Sequence, residues 1–181
     1  DKYGADSVRF FILSDSPPER DVQWSEEGML SSYKFVQKLW GLAENIYDIS
    51  NKDLVEDSEE IEVFTNQALN RVNYALEKFR YNVIIAIFHE IYSFFRKISE
   101  QNKNFKNLKR NFEKILIIMS PVLPHFTNEC LTKFDYKDIY KWPTVNQKYL
   151  IEEESLIVIQ VNGKKRSFIT INKNLEEKEL I

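Results

Sequence analysis

The run NVIIAIFHEIYSFFRKI, Asn82 to Ile98, decides the fold. Its apolar residues, Val83, Ile84, Ile85, Ile87, Phe88, Ile91, Phe94 and Phe95, spread around most of a helix's girth. A helix wet on so little of its surface belongs at the centre of a bundle. The flanking segments carry the one-sided pattern its neighbours need. Ile61 to Phe79 sets Phe64, Ala68, Val72, Ala75 and Phe79 on one side, and Asn107 to Met119 does so with Leu108, Phe112, Ile115, Leu116 and Met119. SPVLPHF, Ser120 to Phe126, interrupts that helix, and a short one follows to about Phe134.

Upstream, Ser25 is a good N-cap, and Glu26 and Glu27 suit the positive end of a long helix. Met29, Tyr33, Val36, Trp40, Ala43 and Tyr47 then form a seam, ended by Asn51 and Asp53. Ala5 to Leu13 reads as a short helix stopped by Pro17 and Pro18, with Trp24 expected to anchor the crossing. The expected fold is mainly α, an antiparallel helical bundle. After KDIYKWP the character changes. LIVIQVNGKKRSFITI, Leu156 to Ile171, is two β-branched runs around Asn162-Gly163, a hairpin signature. NLEEKELI then begins another helix. A lone hairpin is marginal in water, so the chain is expected to end inside a truncated second domain. The expected division is a connector over 1–24, the bundle over 25–145 and the start of a C-terminal domain over 146–181.

The 181 residues are 43% hydrophobic and 29% charged, as in an ordinary water-exposed domain. There is neither a membrane-length apolar run nor a secretion leader. The single cysteine, Cys130, excludes an internal disulfide and suits a reducing cytosol. The net charge of −3 is unevenly spread. Asn51 to Glu62 holds six acids against Lys52, and Arg96 to Lys114 holds seven bases against Glu100 and Glu113. Such a basic zone can bind a polyanion, or be merely a solvated corner.

Catalytic chemistry is not visible. His89 lacks a second histidine four residues on, so the zinc-protease pattern is missing, and it fits a bundle edge, hydrogen-bonded or wet. His125 reads as structural and Cys130 as a small core residue. QVNGKKRS lacks phosphate-loop spacing. Binding has better candidates: Lys34 and Lys38 share one helix face, and Arg71 and Lys78, seven apart, nearly do. Such stripes can track a phosphate backbone, or simply confer solubility.

Four stretches, in order, carry a resemblance: KYGADSVRFFILSDSPPERDVQWSEEGMLSSYKFVQKLW (Lys2 to Trp40), FRYNVIIAI (Phe79 to Ile87), MSPVLPHFTNEC (Met119 to Cys130), and Trp142-Pro143 followed by VIQVNGKKRSFI (Val158 to Ile169). Together they resemble class I aminoacyl-tRNA synthetases of the bacterial leucyl type, downstream of the KMSKS loop. The resemblance implies a leucine–tRNA ligase that joins leucine to tRNA-Leu with ATP and Mg. It also implies that this segment is the anticodon-binding bundle, inactive alone and holding no cofactor. The HIGH motif, KMSKS loop and editing domain would lie upstream. The implied partners are tRNA-Leu and the catalytic domain of the same polypeptide, in a cytoplasmic monomer with no membrane. By the same resemblance the tRNA-contacting residues are Lys34 and Lys38 first, then Arg71, Lys78 and Arg80. Lysine there keeps charge but not arginine's two-pronged grip. Ser167 and Phe168 depart from the family pattern beside Lys164, Lys165 and Arg166. The matching region of a valyl or isoleucyl enzyme, and a helical protein-interaction module, remain alternatives.

Overall fold

A computed structural model describes residues 2–15, 21, 23–137, 141–150, 154–161 and 164–172. It divides into two units, Asp1–Val145 and Asn146–Ile181. The first is mainly helical: α1 (Ala5–Asp15), α2 (Glu26–Ser50), α3 (Glu59–Glu77), α4 (Tyr81–Glu100), α5 (Leu108–Met119) and α6 (Pro124–Lys133).

α4 is less enclosed than expected: Val83, Ala86, His89, Glu90, Ser93, Arg96, Lys97 and Glu100, eight of its twenty residues, are exposed, and one face is buried. Ile84, Ile85, Ile87, Phe88, Ile91, Phe95 and Ile98 are buried, and the helix packs against α1, α2 and α3. Two adjustments follow from the packing. Val83 stays 40% exposed. Phe64 and Phe94 stack face to face at 3.8 Å on the flank rather than in the core centre.

In α2, Ser25 caps as expected, its hydroxyl accepting from the Gly28 N–H. The expected seam is displaced. The buried stripe is Met29, Ser32, Phe35, Val36, Leu39, Leu42, Ala43, Ile46 and Ile49. Tyr33, Trp40 and Tyr47 lie on its flank, where Trp40 meets Phe126 and Tyr47 meets Phe134 edge-on. A helix that touches α1, α4, α5 and α6 needs a broader apolar face than the expected seam, of which Met29, Val36 and Ala43 remain in the buried stripe.

Phe79 also departs from expectation. It lies beyond α3, 65% exposed, with φ at 53°. The Arg80 N–H reaches Ala75 O at 2.8 Å and the Phe79 N–H reaches Leu76 O at 3.0 Å, a Schellman ending with phenylalanine where glycine is usual. Lys78 is accordingly the C-cap of α3 and not a residue of its face. Asn102 and Asp135 take the same left-handed conformation after α4 and α6, which their short polar side chains tolerate better.

Two motif segments are bound to the bundle by α1. The Tyr3 hydroxyl donates to Glu26 at 2.7 Å and the Lys2 ammonium does so at 3.2 Å. A Cβ at Gly28 would stand 2.6 Å from the Phe11 ring, so only glycine lets α1 approach α2 this closely. Trp24 touches Phe11 edge-on yet stays 63% exposed, a looser anchor than the sequence suggested. At the far side, Leu123 cannot cap α6. Asp6 does so from α1, accepting from the Phe126 N–H at 2.7 Å and lying 2.8 Å from His125 Nδ1. Arg9 donates to the carbonyls of Pro121 and Val122, groups freed by the break after α5.

A small parallel pairing, β1 (Leu54–Val55) with β2 (Asn104–Phe105), joins the acidic linker to the basic turn. In the second unit β3 (Glu154–Val161) pairs antiparallel with β4 (Lys164–Asn172), Ile157 opposite Ile169. Pro17, Pro18, the Asn162-Gly163 turn and the NLEEKELI segment lie outside the described residues, as do the side chains of Lys164, Lys165 and Arg166.

Candidate nucleic-acid interface

Lys34 and Lys38 lie one turn apart on the exposed side of α2, while Phe35 and Leu39 beside them are buried. The buried residues fix the rotation of the helix, so the lysines are held outward by packing rather than by partners. Among the described residues neither ammonium is paired with a carboxylate. Next to Lys38 is an aromatic group: Phe35 packs on Phe10, Tyr92 and the ring of His89. Burial, and then the Lys38 charge, pull the His89 imidazole below its ordinary pKa. His89 is thus an exposed residue of the bundle edge, as expected, whose ring also packs on Phe35 and Phe10.

The other three candidates fall at the α3–α4 corner. Arg71 is already engaged, two of its nitrogens donating to Glu90 at 2.5 and 2.9 Å. That pair raises the guanidinium pKa and lowers the Glu90 carboxyl, and it leaves little net charge. Lys78 has its ammonium 6.0 Å from the Tyr74 ring centre. Arg80 occupies the N-cap position of α4. Arg71, Tyr74 and Arg80 meet around a hollow of about 260 Å³ that also takes in Asn70 and Val83.

The basic zone of 96–114 has a different fate. Arg96 pairs with Glu100, Lys97 with Glu60, Lys109 with Glu113 and Arg110 with Glu62. Glu62 is the centre of this contact, accepting from Asn107, Arg110 and Asn111. Burial alone would push its carboxyl up. The hydrogen bonds from Asn111, Arg110 and Asn107, with the Lys114 charge, outweigh that and hold it below the usual range. Asn107 also grips the Ser58 backbone in both directions, and Asn104 bonds the carbonyls of Ser50 and Lys52. The acidic and basic runs thus face each other across the β1–β2 pairing. Sequence reasoning weighed them separately; the four asparagines at 102, 104, 107 and 111 were the available cue.

A wider cleft of about 670 Å³ runs between α1, α2 and α6, lined by Tyr3, Asp6, Gln37, Trp40, His125 and Glu129. Its two carboxylates do not suit a phosphate. Cys130 is buried, which pushes its thiol up to about 12, a poor nucleophile. Among the described residues no group of three or more His, Cys, Asp or Glu could hold a metal ion. Nor, among them, is any helix long and apolar enough to cross a membrane.

Residues 58–181 match the family described as the anticodon-binding domain of tRNA ligase. Over nearly its whole length the chain is similar to leucine–tRNA ligases. It is 31% identical to that of Fusobacterium nucleatum (98% of this chain, 22% of the relative) and 31% identical to that of Allorhizobium ampelinum (97% and 22%). With that of Chelativorans sp. it shares 32% (98% and 22%). It thus spans about a fifth of these relatives' length. Among solved structures, LeuRS of Agrobacterium radiobacter K84, in a ternary complex with tRNA and LeuAMS, superposes with a TM-score of 0.79 at 21% identity. That match covers 99% of this chain and 24% of the other, and it establishes the mainly helical fold. On the family match over 58–181, this chain belongs to the anticodon-binding domains of tRNA ligases.

Proposed function

We propose that this chain is the tRNA-binding portion of a leucine–tRNA ligase, and that its ligand is tRNA-Leu. The full-length enzyme would use ATP and Mg to attach leucine to the tRNA, in the cytoplasm and as a monomer. The activation and transfer steps would belong to the catalytic domain of the same polypeptide, its second partner. In this reading residues 1–24 connect to that domain, 25–145 form an antiparallel class I bundle, and 146–181 begin a C-terminal domain with a β-hairpin. The names of the relatives, all leucine–tRNA ligases, support the choice of amino acid.

The observation that carries the RNA reading is the lysine pair on α2. Lys34 and Lys38 are outward, one turn apart and without acidic partners among the described residues. Two uncompensated ammonium groups at that spacing attract successive phosphates of a backbone. Lys78 and Arg80 add weaker attraction at the α3–α4 corner. Arg71 would contribute only by exchanging Glu90 for a phosphate. Recognition on this surface rests on backbone and shape, since side chains cannot read the deep, narrow major groove of an RNA duplex.

The test is a binding competition. The 181-residue chain should bind a tRNA-Leu transcript more tightly than an unrelated RNA hairpin of equal length. It should show no leucine-dependent ATP–pyrophosphate exchange. Equal affinity for both RNAs would favour a charged surface with no tRNA role.

A further inference from the structure

Lys38 lies three residues after Phe35 on α2, near enough to His89 for its charge to disfavour the imidazolium, and among the described residues no acid pairs with either group. The His89 ring lies over Phe35, centroids 4.0 Å apart, and edge-on to Phe10 at 5.8 Å. This packing fixes the imidazole plane while the residue remains exposed. Among the described residues neither ring nitrogen has a hydrogen-bond partner. The charged groups on the elements around it are few. From α1 comes Phe10, while Asp6 and Arg9 are both engaged at the start of α6. From α2 come Phe35 and Lys38. On α4 itself Glu90 is taken by Arg71, Tyr92 leans on Phe35, Ser93 bonds the His89 carbonyl, and Arg96 pairs with Glu100.

We propose that Lys38 and His89 together hold one RNA phosphate, so that RNA binding on this face of α2 takes up a proton. The proposal rests on the tRNA-binding reading above and adds a residue and a pH dependence to it. An imidazolium N–H and an ammonium are both strong donors to phosphate oxygen. In the free protein, burial and the Lys38 charge disfavour the imidazolium. A phosphate seated between the two groups reverses the second cause, so the His89 pKa rises on binding. The sign follows directly. A group that binds its proton more tightly in the complex strengthens binding as pH falls, and contributes nothing extra once pH exceeds both pKa values.

The experiment measures the affinity of the 181-residue chain for a tRNA-Leu transcript at about pH 6 and about pH 7.5, at constant salt. Affinity should rise roughly three- to tenfold at the lower pH, because a one-unit pKa shift is worth tenfold. His89→Gln should flatten most of that rise, and His125→Gln should keep it. With only two histidines in the chain, proton NMR titration of the wild type follows His89 directly, and its pKa should climb when RNA is added. If affinity depends on Lys34 and Lys38 but His89→Gln leaves the pH dependence intact, or the His89 pKa stays put, this inference fails and the tRNA reading stands. If no tRNA binds even near pH 6, both fail.

Discussion

Two basic stretches of this chain look alike on paper and differ in space. Lys34 and Lys38 are the sparser of the two, yet among the described residues neither is paired with an acid on α2 or elsewhere. The stretch from Arg96 to Lys114 is richer in charge, yet most of it is spent on Glu60, Glu62, Glu100 and Glu113 within the fold. Charge density along a sequence therefore says little about charge available to a ligand. What decides it is whether the topology brings an acidic segment opposite. Here the acidic linker of 51–62 is held against the basic turn by the β1–β2 pairing and by Asn104 and Asn107.

The sharpest way to break that contrast is to remove its keystone. Glu62→Ala deletes the acceptor of three side-chain donors and leaves them facing a mostly buried gap. Hydrogen bonds to a charged group are worth about 1.5–3 kcal/mol, so the loss should be about 2–3 kcal/mol, read as a lower midpoint in urea. The same carboxylate gives a pH signature. Its pKa is lowered on folding, so its contribution is full above the unfolded value near 4.5 and is lost as pH falls through the lower folded value. Wild type should lose stability in that acid range more steeply than Glu62→Gln.

A smaller effect separates α1 from the rest. Gly28→Ala forces the Phe11 ring aside and should cost about 1–3 kcal/mol, the range for overpacking. It should spare the β1–β2 side, so amide exchange should speed first in α1 and at the start of α2. Smaller still, and opposite in sign, is Phe79→Gly. The left-handed position costs a non-glycine residue about 1–2 kcal/mol, and the exposed ring returns little burial. The variant should gain up to about 1 kcal/mol of thermal stability.

Much of the fold was legible because helix periodicity is local. The buried face of α4, the Ser25 cap and the inward residues of α5 can all be read from spacing within one segment. The rotation of α2 could not, because Phe35, Leu39, Leu42 and Ile46 repeat as regularly as Tyr33, Trp40 and Tyr47. Only the placement of α4 and α5 chooses between the two sets. Pairings across the chain were hidden for the same reason. Asp6 capping α6, and Glu62 meeting Arg110, join residues more than forty positions apart. At the interface, the shared face of Lys34 and Lys38 was readable from their spacing, but its outward placement followed from the rotation of α2. The capture of Arg71 by Glu90 was not, since it depends on how α3 lies against α4.

The central claim is that free charge, not basic composition, makes the RNA-facing surface. It is tested most directly by the salt dependence of tRNA-Leu binding in two double variants. Each phosphate contact contributes roughly 0.9 to the slope of log affinity against log salt. Lys34→Ala with Lys38→Ala should lower that slope by roughly two and weaken binding at least about tenfold, whereas Arg96→Ala with Lys97→Ala should change affinity less than about twofold. The reverse pattern, a shallower slope on losing Arg96 and Lys97 and none on losing Lys34 and Lys38, would contradict the account.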